Sequence, residues 1–190
     1  MNDIWFTSDT HFGHTNVIKY SDRPYADADD MNAKMRDNWN ALVKPGDKVY
    51  HNGDMAFMNY TKFKDYLGTL NGSIELVLGN HDKMIIEKKN DLLTQGKIAS
   101  IGYYNELKIS GLPMIVLFHY GQRVWNKSHH GSILLYGHSH GSLPPHGLSV
   151  DIGVDCKEIT DEYRPIHLDE IIQYMSKRTP VVVDHHEMRE

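Results

Sequence analysis

The segment Leu76-Val77-Leu78-Gly79-Asn80-His81-Asp82 constrains this chain more than any other. A short apolar run of Leu and Val closed by glycine reads as a buried strand of a parallel sheet. In open α/β sheets the ligand crevice lies just beyond the carboxyl ends of the strands. Here an amide, an imidazole and a carboxylate stand side by side at such an end, able to ligate a metal, donate a proton and orient the donor. Taken alone, the segment also fits an ordinary turn, for which Gly-Asn is common chemistry.

The same design recurs along the chain. Asp3 to Ser8 leads into Asp9-Thr10-His11, and Lys48 to His51 leads into Gly53-Asp54. Met114 to Phe118 is followed at once by His119, and Ile133 to Tyr136 by Gly137-His138-Ser139-His140-Gly141. One polar strand end is an accident of turn formation. Five in one chain predict a constellation gathered at the carboxyl edge of a sheet.

Between these runs the sequence predicts helices. Met31, Met35, Trp39 and Leu42 recur at helical spacing after Asp27, with Asp29 and Asp30 suited to the positive end of the dipole and Pro45-Gly46 as the stop. That stripe of Met and aromatic side chains is expected to pack as core. A short amphipathic piece is expected around Val17, Ile18 and Tyr20, broken by Arg23-Pro24-Tyr25. Further helices are expected from Tyr60 to Leu70, from Met84 to Leu93 and from Leu168 to Lys177. Ile98 to Ile109 alternates and reads as two antiparallel strands near a sheet edge, and Leu148 to Val154 alternates as another strand. A polar loop, Gly121 to Gly131, carries Arg123, Trp125, His129 and His130. The terminal His185-His186-Glu187 reads as a solvated tail.

Composition bounds the function. A chain of 190 residues suits one domain, spanning 1–190, with a sizeable core. No apolar run approaches the roughly 20 residues that span a bilayer. The opening Met1-Asn2-Asp3-Ile4-Trp5 lacks a basic signal-peptide region. The lone Cys156 cannot form an intramolecular disulfide, so a reducing, cytoplasmic setting fits. A formal net charge of −5 argues against coating long nucleic acid by phosphate neutralisation. It leaves small phosphorylated substrates open, because bound cations would dominate the local field. The 13 histidines are an excess that points to metal.

Asp9, His11, Asp54, Asn80, His119, His138 and His140 are candidate ligands. Seven oxygen and nitrogen donors exceed the needs of one ion and suit two ions bridged by one carboxylate. A donor set of imidazole, carboxylate and amide without thiolate suits Mn, with Fe, Zn or Ni as alternatives. Two such ions form a clamp for in-line displacement at phosphorus, with a hydroxide held between them as the attacking group. His81 adjoins Asn80 and is surplus to the ligand count, so it is placed to protonate the leaving oxygen or to stabilise the transition state. His14 lies in a glycine-containing loop three residues after His11 and is expected to line the substrate pocket. The other reading of His14 is a cap on the short helix starting near Thr15, or a side chain packed beneath the loop.

The ordered set Asp9-x-His11, Gly53-Asp54, Gly79-Asn80-His81-Asp82, His119 and Gly137-His138-x-His140 resembles the motif series of the calcineurin-like metallophosphoesterases, from Ile4 to about Asp155. Asp9-Thr10-His11-Phe12-Gly13-His14 and Phe118-His119-Tyr120 through Trp125 look like the small, single-domain bacterial and phage members. The resemblance implies a layered α/β/β/α sandwich, two mixed sheets flanked by helices with the metal site at the carboxyl ends of the strands. It implies Asp9, His11, Asp54 and His140 around one metal and Asp54, Asn80, His119 and His138 around the other, with Asp54 as bridge. His81 would be the catalytic histidine and Asp82 its orienting partner. Many larger phosphatases of that family carry a charged residue or His where this chain has Phe57, so their substrate contacts do not transfer.

The expected activity is metal-dependent hydrolysis of a small phosphomonoester or phosphodiester, nucleotide-type by preference. A nuclease on DNA or RNA and a non-catalytic protein-interaction scaffold on the same fold are the alternatives. Intact ligands and an intact His81 weigh against the scaffold, and net acidity against the nuclease.

Overall fold

The computed structural model describes residues 2–181. The segment read as a solvated tail, His185-His186-Glu187, lies outside them. Two mixed sheets form the frame. The first has the order β4-β3-β2-β1-β9, with β1 (Ile4–Thr7), β2 (Lys48–His51), β3 (Ser73–Val77), β4 (Ile98–Gly102) and β9 (Ile166–His167). Its first four strands run parallel, and β9 closes the edge antiparallel to β1. The second sheet, β5-β6-β7-β8, comprises β5 (Tyr104–Leu107), β6 (Ile115–Phe118), β7 (Ile133–Tyr136) and β8 (Ser149–Asp151). Only β5 is antiparallel there.

Alternation along the strands divides the core. Trp5, Val49, Ile74 and Leu76 face a cluster shared with helices α2 (Ala28–Leu42) and α3 (Tyr60–Leu67). Phe6, Tyr50 and Val77 point the other way, into a cluster with Leu117, Leu135 and Val150 of the second sheet. Helix α6 (Leu168–Met175) adds Ile171 and Met175 to this second cluster. The result is a layered α/β sandwich of two mixed sheets flanked by helices.

Helix α2 shows how the pattern folds. The Asp27 side chain accepts from the N–H groups of Asp29 and Asp30, satisfying two donors left open at the helix start. Met31, Met35 and Trp39 are buried, each worth roughly 1.5–3 kcal/mol of transfer free energy. Leu42, expected to complete the stripe, is exposed, and Val43 fills the core position beyond it.

Four expectations are corrected. Helix α3 stops at Leu67, because the chain turns at Gly68 and Leu70 reaches the core from that turn. The helix expected from Met84 to Leu93 is two, α4 (Lys83–Glu87) and α5 (Lys89–Thr94), parted at Lys88, whose φ of −105° and ψ of 13° leave helical geometry. β4 and β5 do not pair with each other. β4 is the parallel edge of the first sheet and β5 the antiparallel edge of the second, joined through Tyr103 as the chain crosses between sheets. Trp125, assigned to a polar loop, is buried in the second cluster, its Nε1–H donating to the Ser132 carbonyl. Among the described residues no helix is long and apolar enough to cross a membrane.

Candidate metal centre

The loops that follow β1, β2, β3, β6 and β7 converge at the carboxyl ends of their strands, where the sequence placed the candidate residues. Backbone hydrogen bonds lace them together: Asp9 N–H donates to the Gly53 carbonyl, His11 N–H to Asp54 and Gly137 N–H to His119. Asn52 spans the two sheets, its side-chain amide donating to the Leu135 carbonyl at 2.7 Å. Glycine permits the closeness. A methyl group at Gly79 would overlap the Asp54 carboxylate, and one at Gly137 the Ser8 hydroxyl and the Asp9 carboxylate.

The backbone itself is strained where the candidate ligands sit. Asp9, His11, Asp54, His138 and His140 all have φ between 47° and 68°, a region that side-chain-bearing residues seldom occupy. Such strain persists where the surroundings enforce it and concentrates at functional sites. The chain is left-handed at both Asp9 and His11, and both side chains reach the same centre.

Two groups of side chains assemble. Asp9, His11 and His140 bring one ligating atom each within 4.8 Å of one another, and Asp54, His119 and His138 do the same. Asp54 faces both groups: its Oδ2 lies 3.9 Å from His11 Nε2 and 3.5 Å from His119 Nε2. Asn80 stands beside the second group with Oδ1 3.1 Å from His119 Nε2.

Two of the imidazoles are oriented by bonds on the far side of the ring. His119 Nδ1–H donates to the Asn52 carbonyl at 2.7 Å, and His140 Nδ1–H to the Asp155 carboxylate at 2.6 Å. In both rings Nε2 is thereby left to face the carboxylates, the arrangement in which an outer partner fixes a ligating tautomer.

Burial disfavours charge on Asp9 and on His11 alike. The Asp9 carboxyl is fully buried and pushed up to about 7, and burial holds the His11 imidazole well below its ordinary value. Asp9 Oδ2 accepts from the His138 N–H, but Asp9 Oδ1 and both ring nitrogens of His11 are buried without a hydrogen-bond partner. Buried polar atoms are ordinarily paired. For Asp54, burial alone would push the carboxyl up, but the His119 ring and the His81 N–H outweigh it and the net direction is down. The orphaned carboxylate and imidazole atoms all belong to the Asp9 group; with the Asp54 group beside it and no thiolate among the donors, the two groups could hold a pair of divalent cations.

A cleft of about 470 Å³ opens beside the Asp9 group, lined by His11, His14, Val17, Tyr20, His81 and His140 together with Ser21, Ser139 and Ser142. His14 therefore lies on the cleft wall. It precedes α1 (Thr15–Tyr20) without capping it by its side chain. Its ring instead stacks on Phe57, centroids 4.0 Å apart and planes at 12°. Phe57 is also 4.9 Å from the exposed His81 ring. The His81 N–H donates to Asp54 Oδ1 at 2.8 Å, which anchors that residue at the centre.

Asp82 departs from its expected part. Its carboxylate accepts from the backbone N–H groups of Asp54, Met55 and Gly79, so among the described contacts it holds the Asp54 loop and does not touch the His81 ring. A buried carboxylate is drawn to the nearest unpaired N–H groups, and these are offered by two strand-end loops.

Two residues that support the centre carried no motif. Arg23, assigned only to a helix break, is buried and donates to both oxygens of Asp155 and to the carbonyls of Asp9 and Thr10. Asp155 was equally unmarked, although Gly153-Val154-Asp155 follows a strand just as the other polar ends do. His51, one of the many histidines, is a buttress: buried, its pKa pushed down to about 3 by burial, and bonded to the Thr10 hydroxyl.

No family model matches the sequence. The chain is 30% identical over 186 residues to the uncharacterized protein MJ1445 of Methanocaldococcus jannaschii, covering 93% of each. It is 28% identical over 169 residues to the gene 66 protein of Mycobacterium phage D29, covering 75% of this chain and 81% of that one. Among solved structures, the protein of unknown function AQ665 from Aquifex aeolicus shares the fold, with a TM-score of 0.67, 24% identity and coverage of 91% of this chain and 99% of that one.

Proposed function

We propose a binuclear metal-dependent phosphoesterase activity for this chain, which belongs to the family of the uncharacterized protein MJ1445 of Methanocaldococcus jannaschii. The observation that carries the reading is the pair of His/Asp groups whose buried Asp9 and His11 atoms have no protein partner. Asp9, His11, His140 and Asp54 would hold one ion, and Asp54, Asn80, His119 and His138 the other, with Asp54 shared. The motif order supports the same assignment through its resemblance to the calcineurin-like metallophosphoesterases. When bound, the metal pair would supply Lewis-acid stabilisation of the phosphoryl oxygens and a water acidic enough to attack phosphorus near neutral pH. Manganese suits this oxygen and nitrogen donor set best.

The remaining work falls to side chains. His81 stands exposed on the cleft wall while its backbone is pinned to Asp54, so its ring can give a proton to the leaving oxygen. His14, braced by Phe57, offers an N–H to the substrate's free oxygens. Asp82 keeps the Asp54 loop in place, and Asp155 keeps His140 in the ligating tautomer. The substrate is a small phosphoester, nucleotide-type by preference.

Stripping the protein with chelator, reloading it with Mn and following 4-nitrophenol release from aryl phosphoesters tests the reading. Turnover that needs the metal is expected. A fully loaded, folded protein inert toward mono- and diesters alike would refute it.

A further inference from the structure

A row of aromatic rings leads away from the Asp54 group along the edge of the second sheet. His138 and Tyr120 have ring centroids 4.7 Å apart, Tyr120 and Phe118 5.8 Å, and Phe118 and Tyr104 6.5 Å. The backbone explains the alignment. Phe118 and Tyr120 are two residues apart at the end of β6, and Tyr104 is the cross-strand partner of Phe118. Tyr120 and Tyr104 are 41% and 45% exposed, so their rings are offered to solvent. Cross-strand packing accounts for the Tyr104–Phe118 pair. It does not account for Tyr120, which lies past the last paired residue of β6 with its hydroxyl 3.5 Å from Asn80 Oδ1.

The other flank of the centre is different in kind. The cleft beside His11 and His140 has Val17 and Tyr20 on its wall, and no Lys, Arg, Asp or Glu among its lining residues. With three serines and four histidines making up the rest of the wall, it suits a polar organic group such as an alcohol. Two surfaces fit for organic groups thus adjoin the two halves of one centre. A phosphomonoester, with one substituent on phosphorus, would use only one of them.

Resting on the phosphoesterase reading above, we infer that the substrate is a phosphodiester, with its leaving alcohol in the Tyr20 cleft and a nucleobase on its other arm stacked on one exposed ring face of the row, whose neighbouring planes at Tyr120, Phe118 and Tyr104 are inclined at 58°. A flat heteroaromatic ring is the group that stacks on half-exposed tyrosines. An aliphatic chain would need an enclosed apolar groove, and a row of hydroxyl-bearing rings on a sheet edge does not provide one. The reaction joins a water oxygen to phosphorus, breaks the phosphorus–oxygen bond to the leaving alcohol and transfers a proton to that oxygen. The alcohol departs through the cleft, and a nucleoside monophosphate remains on the ring row.

Three probes on the Mn-loaded full chain test this: thymidine 5′-(4-nitrophenyl) phosphate, methyl 4-nitrophenyl phosphate and the monoester 4-nitrophenyl phosphate. The thymidine diester is expected to exceed the methyl diester in kcat/KM by about tenfold or more, from base–aromatic stacking, and the monoester to be the poorest. Tyr104→Ala, and Tyr120→Leu, which keeps apolar bulk but removes the ring, should erase most of that preference through KM, with Tm reporting folding. Saturation-transfer NMR on metal-free protein, with thymidine 5′-(methyl phosphate) as probe, should show base protons in contact with the wild type and lose that contact in the variants. A preference insensitive to both variants, or faster turnover of the monoester, would overturn the inference and leave the phosphoesterase reading standing. No release from any of the three would bring down the reading beneath it.

Discussion

At the residue scale, His81 carries the sharpest claim. Its backbone is tied to Asp54 while its ring stands in the cleft outside both ligand groups, which suits a proton donor better than a ligand. His81→Ala should therefore keep its metal and lower kcat by roughly 10²–10⁴-fold, the usual range for a general acid. The loss should shrink for 4-nitrophenol esters, whose leaving group hardly needs the proton. Equal losses on good and poor leaving groups would assign His81 to charge stabilisation instead. Asp82 is the residue whose part the motif misplaced. Its three N–H partners belong to the loops bearing Asp54 and Gly79, so its effect on the reaction would pass through the position of Asp54.

At the scale of elements, two buried charged residues hold the chain at opposite ends of the strands. Arg23 has its whole guanidinium buried against Asp155, with bonds of 2.8 and 2.7 Å, and also closes on the carbonyls of Asp9 and Thr10. Arg23→Ala would leave Asp155 buried and unpaired, at a cost of about 3–5 kcal/mol in denaturant unfolding. A loss under about 1 kcal/mol would show that water enters and takes the guanidinium's place. The second is Asp47, which accepts from the N–H groups of Asp3 and Lys44 and from Trp5 Nε1, fastening the start of β1 to the turn before β2. Burial pushes its pKa up, but the Lys44 and Asp3 N–H groups outweigh it, and the net direction is down. With fewer protons bound folded than unfolded, its contribution is complete above the unfolded value of about 4 and fades as pH falls through the lower folded value. Stability of wild type and Asp47→Ala, measured from pH 6 to pH 2, should accordingly differ most at the upper end and converge toward the lower. A constant difference would remove the carboxylate's charge from the explanation.

Elements were legible in the sequence where local chemistry decided them. Asp27 and the Met31–Met35–Trp39 stripe marked α2, and the polar strand ends marked each candidate ligand. Tertiary partners decided the rest. No Gly or Pro announces the break at Lys88, and alternation over Ile98–Ile109 reports strands without saying which sheet each joins. Arg23 and Asp155 meet across 132 residues, a pairing that no local pattern encodes.

At the scale of the whole molecule, two sheets present their strand ends to one place, and neither sheet alone holds a complete set of donors. Asp9, Asp54 and Asn80 follow strands of the first sheet; His119, His138 and His140 follow strands of the second. Metal uptake should therefore couple to the packing of the sheets and raise Tm with metal concentration, as a ligand of the native state alone must. The most direct test of the central claim is a calorimetric titration of the chelator-stripped chain with Mn, with elemental analysis of the loaded protein. Two ions per chain are expected for the wild type, close to one for His11→Ala, and loss at both sites for Asp54→Ala. A wild-type protein that takes up no ion while hydrolysing phosphoesters in the presence of chelator would contradict the account, as would two ions still bound after Asp54→Ala.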